Sequence, residues 1–363
     1  MEDDAENLTL NVTHEPEDDS YHLNVIIPVS VIMIIIMMIC LLGNSIVCLI
    51  VYQKPAMRSA INLLLANLAL ANIVISVVCT PFFVLSLCMV DIVRTSPIAC
   101  NIHAFMYYAF SMEATFILAA ISVDRYFIIV HRRDKLNPRL AKIVICVTWA
   151  ISVVVCFPPV LNGLSSYQFG HVHCYPPESE TTADKIYLAI LALTLFIVPI
   201  FIMLCSYLCI LDTVRRNMCR VQNFPESLSV SQAGKLGLRR IISPKPSVDM
   251  RFKTRAFTTI LLIFFVYLIC WLPYCIAATI LTFGGNEPFS STQEIVLVGF
   301  TYFNPAINPI IYCWRIKKFR EACVEIAPRL CSLLPRVPHR TKRRVKPSAI
   351  YECNDKSLSS TVL

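Results

Sequence analysis

The sequence predicts an all-α membrane protein: a seven-transmembrane helix bundle with an amphipathic membrane-surface helix after the seventh span. Of 363 residues, 56% are hydrophobic and only 15% are charged, against about 25% charged in a soluble domain. Seven apolar stretches, at 25–52, 59–86, 98–130, 140–161, 185–211, 256–282 and 292–313, each exceed the ~20 residues a crossing helix needs. Lys and Arg gather at one end of these stretches. Open sheet is excluded in hydrocarbon, where its edges would leave N–H and C=O groups without partners.

The basic residues set the orientation. Arg94 and Lys185 lie on the sparsely basic side; the rest of the 32 Lys and Arg residues lie on the other. They include Lys54, Arg58, the run from Arg132 to Lys142, the third inner loop and the C-terminal tail. The positive-inside rule then puts the C-terminus in the cytoplasm and the N-terminus outside, as expected of a multi-pass membrane protein. The first 24 residues hold eight acids and no Lys or Arg. An acidic start is not the basic n-region of a signal peptide, so the first span is expected to act as the insertion signal. The net charge of +8 describes an inner face attracted to anionic lipid, not a nucleic-acid surface.

Four segments follow. Residues 1–24 form an extracellular tail in which Asn7 and Asn11 are glycosylation acceptors. Residues 25–313 form the bundle. Within 314–328, Ile316, Phe319, Cys323 and Ile326 recur at helical spacing among Lys317, Lys318 and Arg320, the pattern of a helix lying on the inner leaflet. Residues 329–363 form a cytoplasmic tail. There Cys331 is a palmitoylation candidate, with Cys323 the alternative. Ser357, Ser359, Ser360 and Thr361 are phosphorylation candidates, and Thr361-Val362-Leu363 fits strand addition by a PDZ domain. The loop from Arg215 to Arg255 is expected to be mostly irregular between helical extensions of its neighbours.

The third span holds the most informative charge. Cys100 lies 25 residues before Arg125, or ~37 Å along a helix, which covers the ~30 Å hydrocarbon core. Asp124-Arg125-Tyr126 therefore sits at the opposite face, where a charge is costly and functional by default. The other spans each carry a landmark: Gly43-Asn44, then Asn67-Leu68-Ala69-Leu70-Ala71-Asn72 with Pro81. Next come Trp149 with Pro158, Pro199 with Tyr207, Cys270-Trp271-Leu272-Pro273, and Asn308-Pro309-Ile310-Ile311-Tyr312. In this order, one set per span, the chain resembles the rhodopsin-like (class A) G-protein-coupled receptors over residues 25–328. The strings from Asp134 to Arg139 and from Tyr312 to Arg320 are similar to those of a small vertebrate group of orphan receptors, for which lysophospholipids have been suggested as ligands.

The resemblance implies a receptor that passes an outside signal, or its own basal activity, to a heterotrimeric G protein. Asp124 would hold Arg125 at rest. Activation would swing the inner end of the sixth span outward on the Pro273 kink. Arg125 would then face a groove for a partner helix, with Tyr207 and Tyr312 turned toward it and linked through water. Trp271 would couple ligand contact to the bend, and Asn308-Pro309 and Tyr126 complete the switch set. Tail phosphorylation would recruit arrestin. The resemblance also implies a Cys100–Cys174 disulfide, with Cys88 as a competing partner. His171 and His173 beside Cys174 mimic a metal site, but a disulfide removes the thiolate, and no metal or cofactor is expected.

Several positions depart from the family pattern. Asn72 replaces an acid and Ala114 a hydroxyl, so no allosteric sodium site is expected; Asn72, Asn304 and Asn308 are expected to form a neutral hydrogen-bonded cluster instead. Lys253 stands where many relatives carry an acid that clamps Arg125, which implies appreciable basal signalling. Thr115 and Tyr267 form a hydroxyl pair near Pro199. Glu113 lies at depth, either protonated or bonded to a Ser, Thr or Trp. Tyr107 occupies the place where monoamine receptors carry an acid. The pocket wall of His103, Tyr107, Tyr108, Met112, Tyr187, Tyr274, Cys275, Val298 and Tyr302 is aromatic and nearly uncharged, which suits an apolar or amphipathic ligand. A transporter wants several ionisable residues along a path, whereas Glu113 is the one acid clearly at depth. No nucleophile–base pair points to an enzyme. A non-signalling partner receptor acting by heterodimerisation stays open.

Overall fold

The computed structural model describes residues 16–88, 96–160, 168–169, 174–175, 182–222, 248–284 and 290–326. Asn7, Asn11, Arg94, His171, His173, Cys331 and the phosphorylation and PDZ candidates of the tail lie outside the described residues, as does the side chain of Lys253.

Helix α1 runs Pro16–Gln53. Helix α2 runs Ala60–Val74, widens into a π turn at Ile75–Cys79 and continues as Thr80–Cys88. Helices α3 and α4 are Pro97–Ile129 and Pro138–Cys156. Helix α5 is Thr182–Ala192, a π turn Leu193–Ile197 and Val198–Gln222. Helices α6, α7 and α8 are Val248–Gly284, Ser291–Arg315 and Lys317–Ile326. Seven of these are long and apolar enough to cross a membrane. Thus α5 extends past the C-terminal end of its predicted span, α6 begins before its own, and α1 begins ahead of residue 25.

Local chemistry fixes several helix starts. Ser96 caps α3, accepting from the Ala99 N–H at 3.4 Å, with Pro97 at the first helical position. Asn137 caps α4 from Leu140 N–H at 2.8 Å, again before a proline. Ser290 and Gln293 form a reciprocal capping box at α7. These pairs satisfy N–H groups that the first helical turn cannot. The π turns also have a cause: each is followed within two residues by a proline, Pro81 in α2 and Pro199 in α5. A proline gives no N–H to the carbonyl four residues back.

Burial identifies the axis of the bundle. The most apolar windows of α3 and α7 are 72% and 67% buried, against 17% for α4 and 22% for α5. Helix α3 touches α2, α4, α5 and α6, while α7 packs on α1, α6 and α8. The exposed side chains of Val154, Phe201 and Ile269 form the kind of outer surface that hydrocarbon solvates at no cost. At the seam between α1 and α7, a Cβ built on Gly43 would lie 2.5 Å from Pro309 Cγ. The missing side chain is what lets the two helices approach.

Two short antiparallel strands, β1 Gln168–Phe169 and β2 Cys174–Tyr175, pair in register Phe169 with Cys174. The Cys100–Cys174 disulfide fixes this hairpin to the start of α3, with Cα atoms 5.6 Å apart. Cys88, the competing partner, is exposed and its Sγ lies 3.7 Å from Ser30 Oγ.

Candidate functional site

At the Cys100 end of the bundle, the predicted pocket residues come together in ring contact. Tyr107 lies against Trp271, Tyr302, Tyr108 and His103, with ring centroids 5.9, 5.5, 5.3 and 6.1 Å away. His103 stacks on Phe82 at 3.9 Å. Thr301 Oγ1 donates to the Val298 carbonyl at 2.6 Å, so its 2.5 Å contact with Tyr107 has the tyrosine as donor. The Tyr108 and Tyr274 hydroxyls are 2.8 Å apart. Tyr302 donates to the Cys79 carbonyl, in the π turn of α2. Tyr187 is half-buried at the edge of the cluster. These residues form an aromatic plug in which the Tyr107, Tyr108, Tyr274 and Tyr302 hydroxyls have protein partners. Among the described residues at this end, Lys185 is the one Lys or Arg, and it is exposed.

Below the plug lies a small cavity lined by Asn72, Tyr107, Ala114, Trp271, Thr301 and Asn304, among others. The expected Asn72–Asn304–Asn308 cluster is not formed. Asn72 Nδ2 instead donates to Asn44 Oδ1 at 3.2 Å. Asn44 Nδ2 donates to the Cys40 carbonyl at 2.8 Å and to the Pro305 carbonyl at 3.2 Å. The reason is visible in the chain: Pro309 cannot serve the carbonyl of Pro305, and a side-chain amide from α1 takes its place. The amide atoms of Asn308 and the side-chain oxygens of Asn72 and Asn304 are buried without a hydrogen-bond partner among the described residues.

The same logic operates beside Pro199. The carbonyl it cannot serve belongs to Leu195, and the Tyr267 hydroxyl donates to that carbonyl at 3.4 Å. Thr115 Oγ1 is 3.3 Å from the same hydroxyl and 2.8 Å from the Ser111 carbonyl. The expected hydroxyl pair is therefore present, and it joins α3, α5 and α6. The ring of Tyr267 continues to Trp271 at 6.2 Å, so the knot touches the residue beneath the plug.

Glu113 is fully buried on the other side of α3. Its Oε1 accepts from Asn67 Nδ2 at 2.6 Å and from Thr148 Oγ1 at 3.1 Å. Trp149 Nε1 donates to Asn67 Oδ1 at 3.0 Å. Of the partners the sequence allowed, Thr is the direct one; Trp149 joins only through Asn67. The network ties α2, α3 and α4 together and lies apart from the cavity lining.

At the opposite end of α3, Arg125 Nη2 and Nε donate to Asp124 Oδ2 at 2.5 and 3.0 Å, with the arginine side chain 16% exposed and the aspartate 4%. Tyr126 pairs with His131 instead, at 3.0 Å. The Tyr207 hydroxyl is 2.8 Å from Ser122 Oγ and donates to the Ile260 carbonyl at 3.3 Å, linking α5 to α3 and α6. Tyr312 packs its ring 6.0 Å from Phe319 of α8. Sequence reasoning missed Arg315, whose Nη2 donates to Thr258 Oγ1 at 2.7 Å and holds the inner end of α6 to α7. It named Asn44 as the landmark of the first span but missed its bonds to Asn72 and the Pro305 carbonyl, although Pro309 in the sequence already signals an unserved carbonyl. Pro273 sits mid-helix in α6, two residues after Trp271.

A membrane bundle with a buried Asp–Arg pair at one end, an aromatic cluster at the other and a proline-marked helix between them defines a seven-helix receptor. The chain matches the family description "7 transmembrane receptor (rhodopsin family)" over residues 43–312, and it belongs to that family. It is 45% identical over 331 residues to the high-affinity lysophosphatidic acid receptor of Xenopus laevis, covering 90% of this chain and 89% of the relative. It is 41% identical over 360 residues to probable G-protein coupled receptor 45 of Homo sapiens, at 96% and 95% coverage. Human probable G-protein coupled receptor 63 is 40% identical over 361 residues, at 96% and 85% coverage. The fold is similar to that of squid rhodopsin, with a TM-score of 0.71 at 22% identity, covering 86% of this chain and 88% of that one. The protein is a G-protein-coupled receptor, a multi-pass plasma-membrane protein that signals to heterotrimeric G proteins; its family is one of receptors, not enzymes.

Proposed function

We propose that this receptor is gated by an amphipathic lipid-like ligand with an uncharged or weakly charged head, which parts the aromatic plug around Tyr107. One observation carries the reading: the plug combines stacked rings with hydroxyls, and no Lys or Arg lines it among the described residues. An apolar chain can replace ring contacts, and a head rich in hydroxyls can replace the Tyr107–Thr301 and Tyr108–Tyr274 bonds. The name of the Xenopus relative, a lysophosphatidic acid receptor, supports the lipid class. A phosphate head would want an Arg or Lys clamp, and Lys185 is the one described Lys or Arg at this end.

In this reading His103, Tyr107, Tyr108, Tyr187, Tyr274 and Tyr302 meet the ligand, and Trp271 transmits its arrival to Pro273. The inner end of α6 then leaves α7, breaking Arg315–Thr258, and Arg125 leaves Asp124 to face the G protein. Tyr126, Tyr207, Asn308, Pro309 and Tyr312 complete the switch. The N-terminus lies outside with glycans on Asn7 and Asn11, and the cytoplasmic tail carries a lipid on Cys331 and offers sites to arrestin and a PDZ domain. Basic residues around α8 hold it on anionic lipid.

The test is nucleotide exchange on G proteins by the full chain in membranes, with lysophosphatidic acid and the monoacylglycerol of the same chain as probes. Activation by the monoacylglycerol that falls in Tyr107→Ala supports the reading. Activation by lysophosphatidic acid alone, abolished in Lys185→Ala, overturns it in favour of a phosphate clamp.

A further inference from the structure

Two cysteine sulfurs face each other where α7 meets α8. Cys313 Sγ and Cys323 Sγ are 2.9 Å apart, inside ordinary van der Waals separation and short of a covalent bond. They are reduced thiols placed edge to edge by the fold. Cys313 is half-buried, whereas Cys323 is 1% exposed beside Ala322 and Phe319 at 3% and 0%. The turn between the helices is tight, with Ile316 alone separating them and its N–H bonded to the Tyr312 carbonyl at 2.9 Å. Ion pairing of Lys54 with Glu325 holds the far end of α8 against the turn after α1. The thiols therefore have little freedom to separate. Burial of Cys323 also argues against its acylation, because a fatty chain needs the sulfur at the surface.

We infer that Cys313 and Cys323 form a redox-modification site, a dithiol that a peroxide converts to a disulfide latching α8 onto α7. The more exposed Cys313 meets the oxidant first. Its thiol takes one oxygen from hydrogen peroxide to give a sulfenic acid and releases water. The Cys323 thiol then attacks that sulfur, the S–O bond breaks, the S–S bond forms and a second water leaves. Two thiols and one peroxide thus yield one disulfide and two waters. A cytosolic thiol–disulfide exchanger reverses the step, as expected for a transient disulfide on the reducing side of the membrane.

The latch has a consequence for the switch. Tyr312 adjoins Cys313 and rests on Phe319 of α8, so a bond from Cys313 to Cys323 holds the segment that must turn for Tyr312 to leave. Oxidised receptor should signal less. This second statement rests on Tyr312 as a switch residue; the cross-link does not.

The test uses full-length receptor in inside-out membrane vesicles treated with dilute hydrogen peroxide, followed by nonreducing proteolysis and mass spectrometry. The expected result is a linked pair of peptides containing Cys313 and Cys323, lost after thioredoxin and absent from Cys313→Ala and Cys323→Ser. The Cys100–Cys174 link in the same digest controls for recovery. Basal nucleotide exchange should fall on oxidation in the wild type and stay level in Cys313→Ala, whose smaller side chain at the half-buried position leaves α8 packed. Absence of the linked peptides overturns the site. Linked peptides with unchanged exchange overturn the latch and leave the receptor reading untouched.

Discussion

Tyr267 gives its hydroxyl proton to the Leu195 carbonyl at 3.4 Å, the acceptor that Pro199 leaves open in α5. A polar hinge thus stands where ring packing alone would be expected, and its strength can be read out. Tyr267→Phe keeps the ring and removes the bonds to Leu195 and Thr115. An interhelical hydrogen bond in a membrane is worth ~0.6 kcal/mol on average, or about threefold in an equilibrium. Because the bonds are made with Arg125 still on Asp124, their loss should raise ligand-free nucleotide exchange by about that factor. Exchange unchanged or lowered in the variant would assign the bonds to the active state instead.

Arg125 and Asp124 give opposite expectations. Arg125→Ala should abolish coupling while the receptor still reaches the cell surface. Asp124→Asn removes the charge that holds Arg125 and should raise basal exchange. Lys253→Glu supplies an acid to clamp Arg125 and should lower it. Surface labelling alongside the exchange assay separates signalling from expression, and equal basal values for Asp124→Asn and wild type would refute the resting role of the pair.

Arg315→Ala removes the bond to Thr258 without touching Arg125. If this contact retains the inner end of α6, basal exchange should rise, and Thr258→Ala should produce the same rise. The double variant should add nothing further, since both changes remove one bond. Additive effects would mean that the residues act separately.

Glu113 should matter to stability more than to signalling. Glu113→Ala leaves the Asn67 donor without its acceptor, at a cost of about 1–3 kcal/mol for a buried polar group, while Thr148 keeps the Val144 and Ile145 carbonyls at 3.0 Å. Glu113→Gln keeps an acceptor oxygen of the same reach and should be far milder. Thermal denaturation of detergent-purified receptor should rank wild type near Glu113→Gln and well above Glu113→Ala. Similar melting temperatures for the two variants would remove the network from the account.

With an amide at Asn72 and a methyl at Ala114, neither side chain supplies an anionic oxygen to offset dehydration of Na⁺. Titrating sodium against potassium at constant ionic strength should leave basal exchange flat, and inhibition at physiological sodium would contradict this.

The spans were legible because hydrocarbon demands length and apolarity, and both are properties of the string. The Asp124–Arg125 pair was legible for the same reason, since a charge at that depth needs a partner and its neighbour is one. The Thr115–Tyr267 pair was visible as two hydroxyls at facing positions. The partner of Asn72 was not, because Asn44, Asn304 and Asn308 are chemically equivalent choices and helix packing decides among them. Nor were the hydroxyl partners of the rings, since they depend on which helix faces present Tyr107, Thr301, Tyr108 and Tyr274 to one another. Cys313 and Cys323 stand ten residues apart on two helices, and only the turn at Ile316 brings their sulfurs together.

The absent methyl at Gly43, where Pro309 of the last span nestles, bears on how the molecule is assembled. The ring of helices closes between the earliest and the latest segments to emerge from the ribosome, so that joint can be made only after the whole chain has been threaded. A bulkier residue there would force Pro309 or the helix backbone to move, so its cost would fall on the last joint the bundle makes.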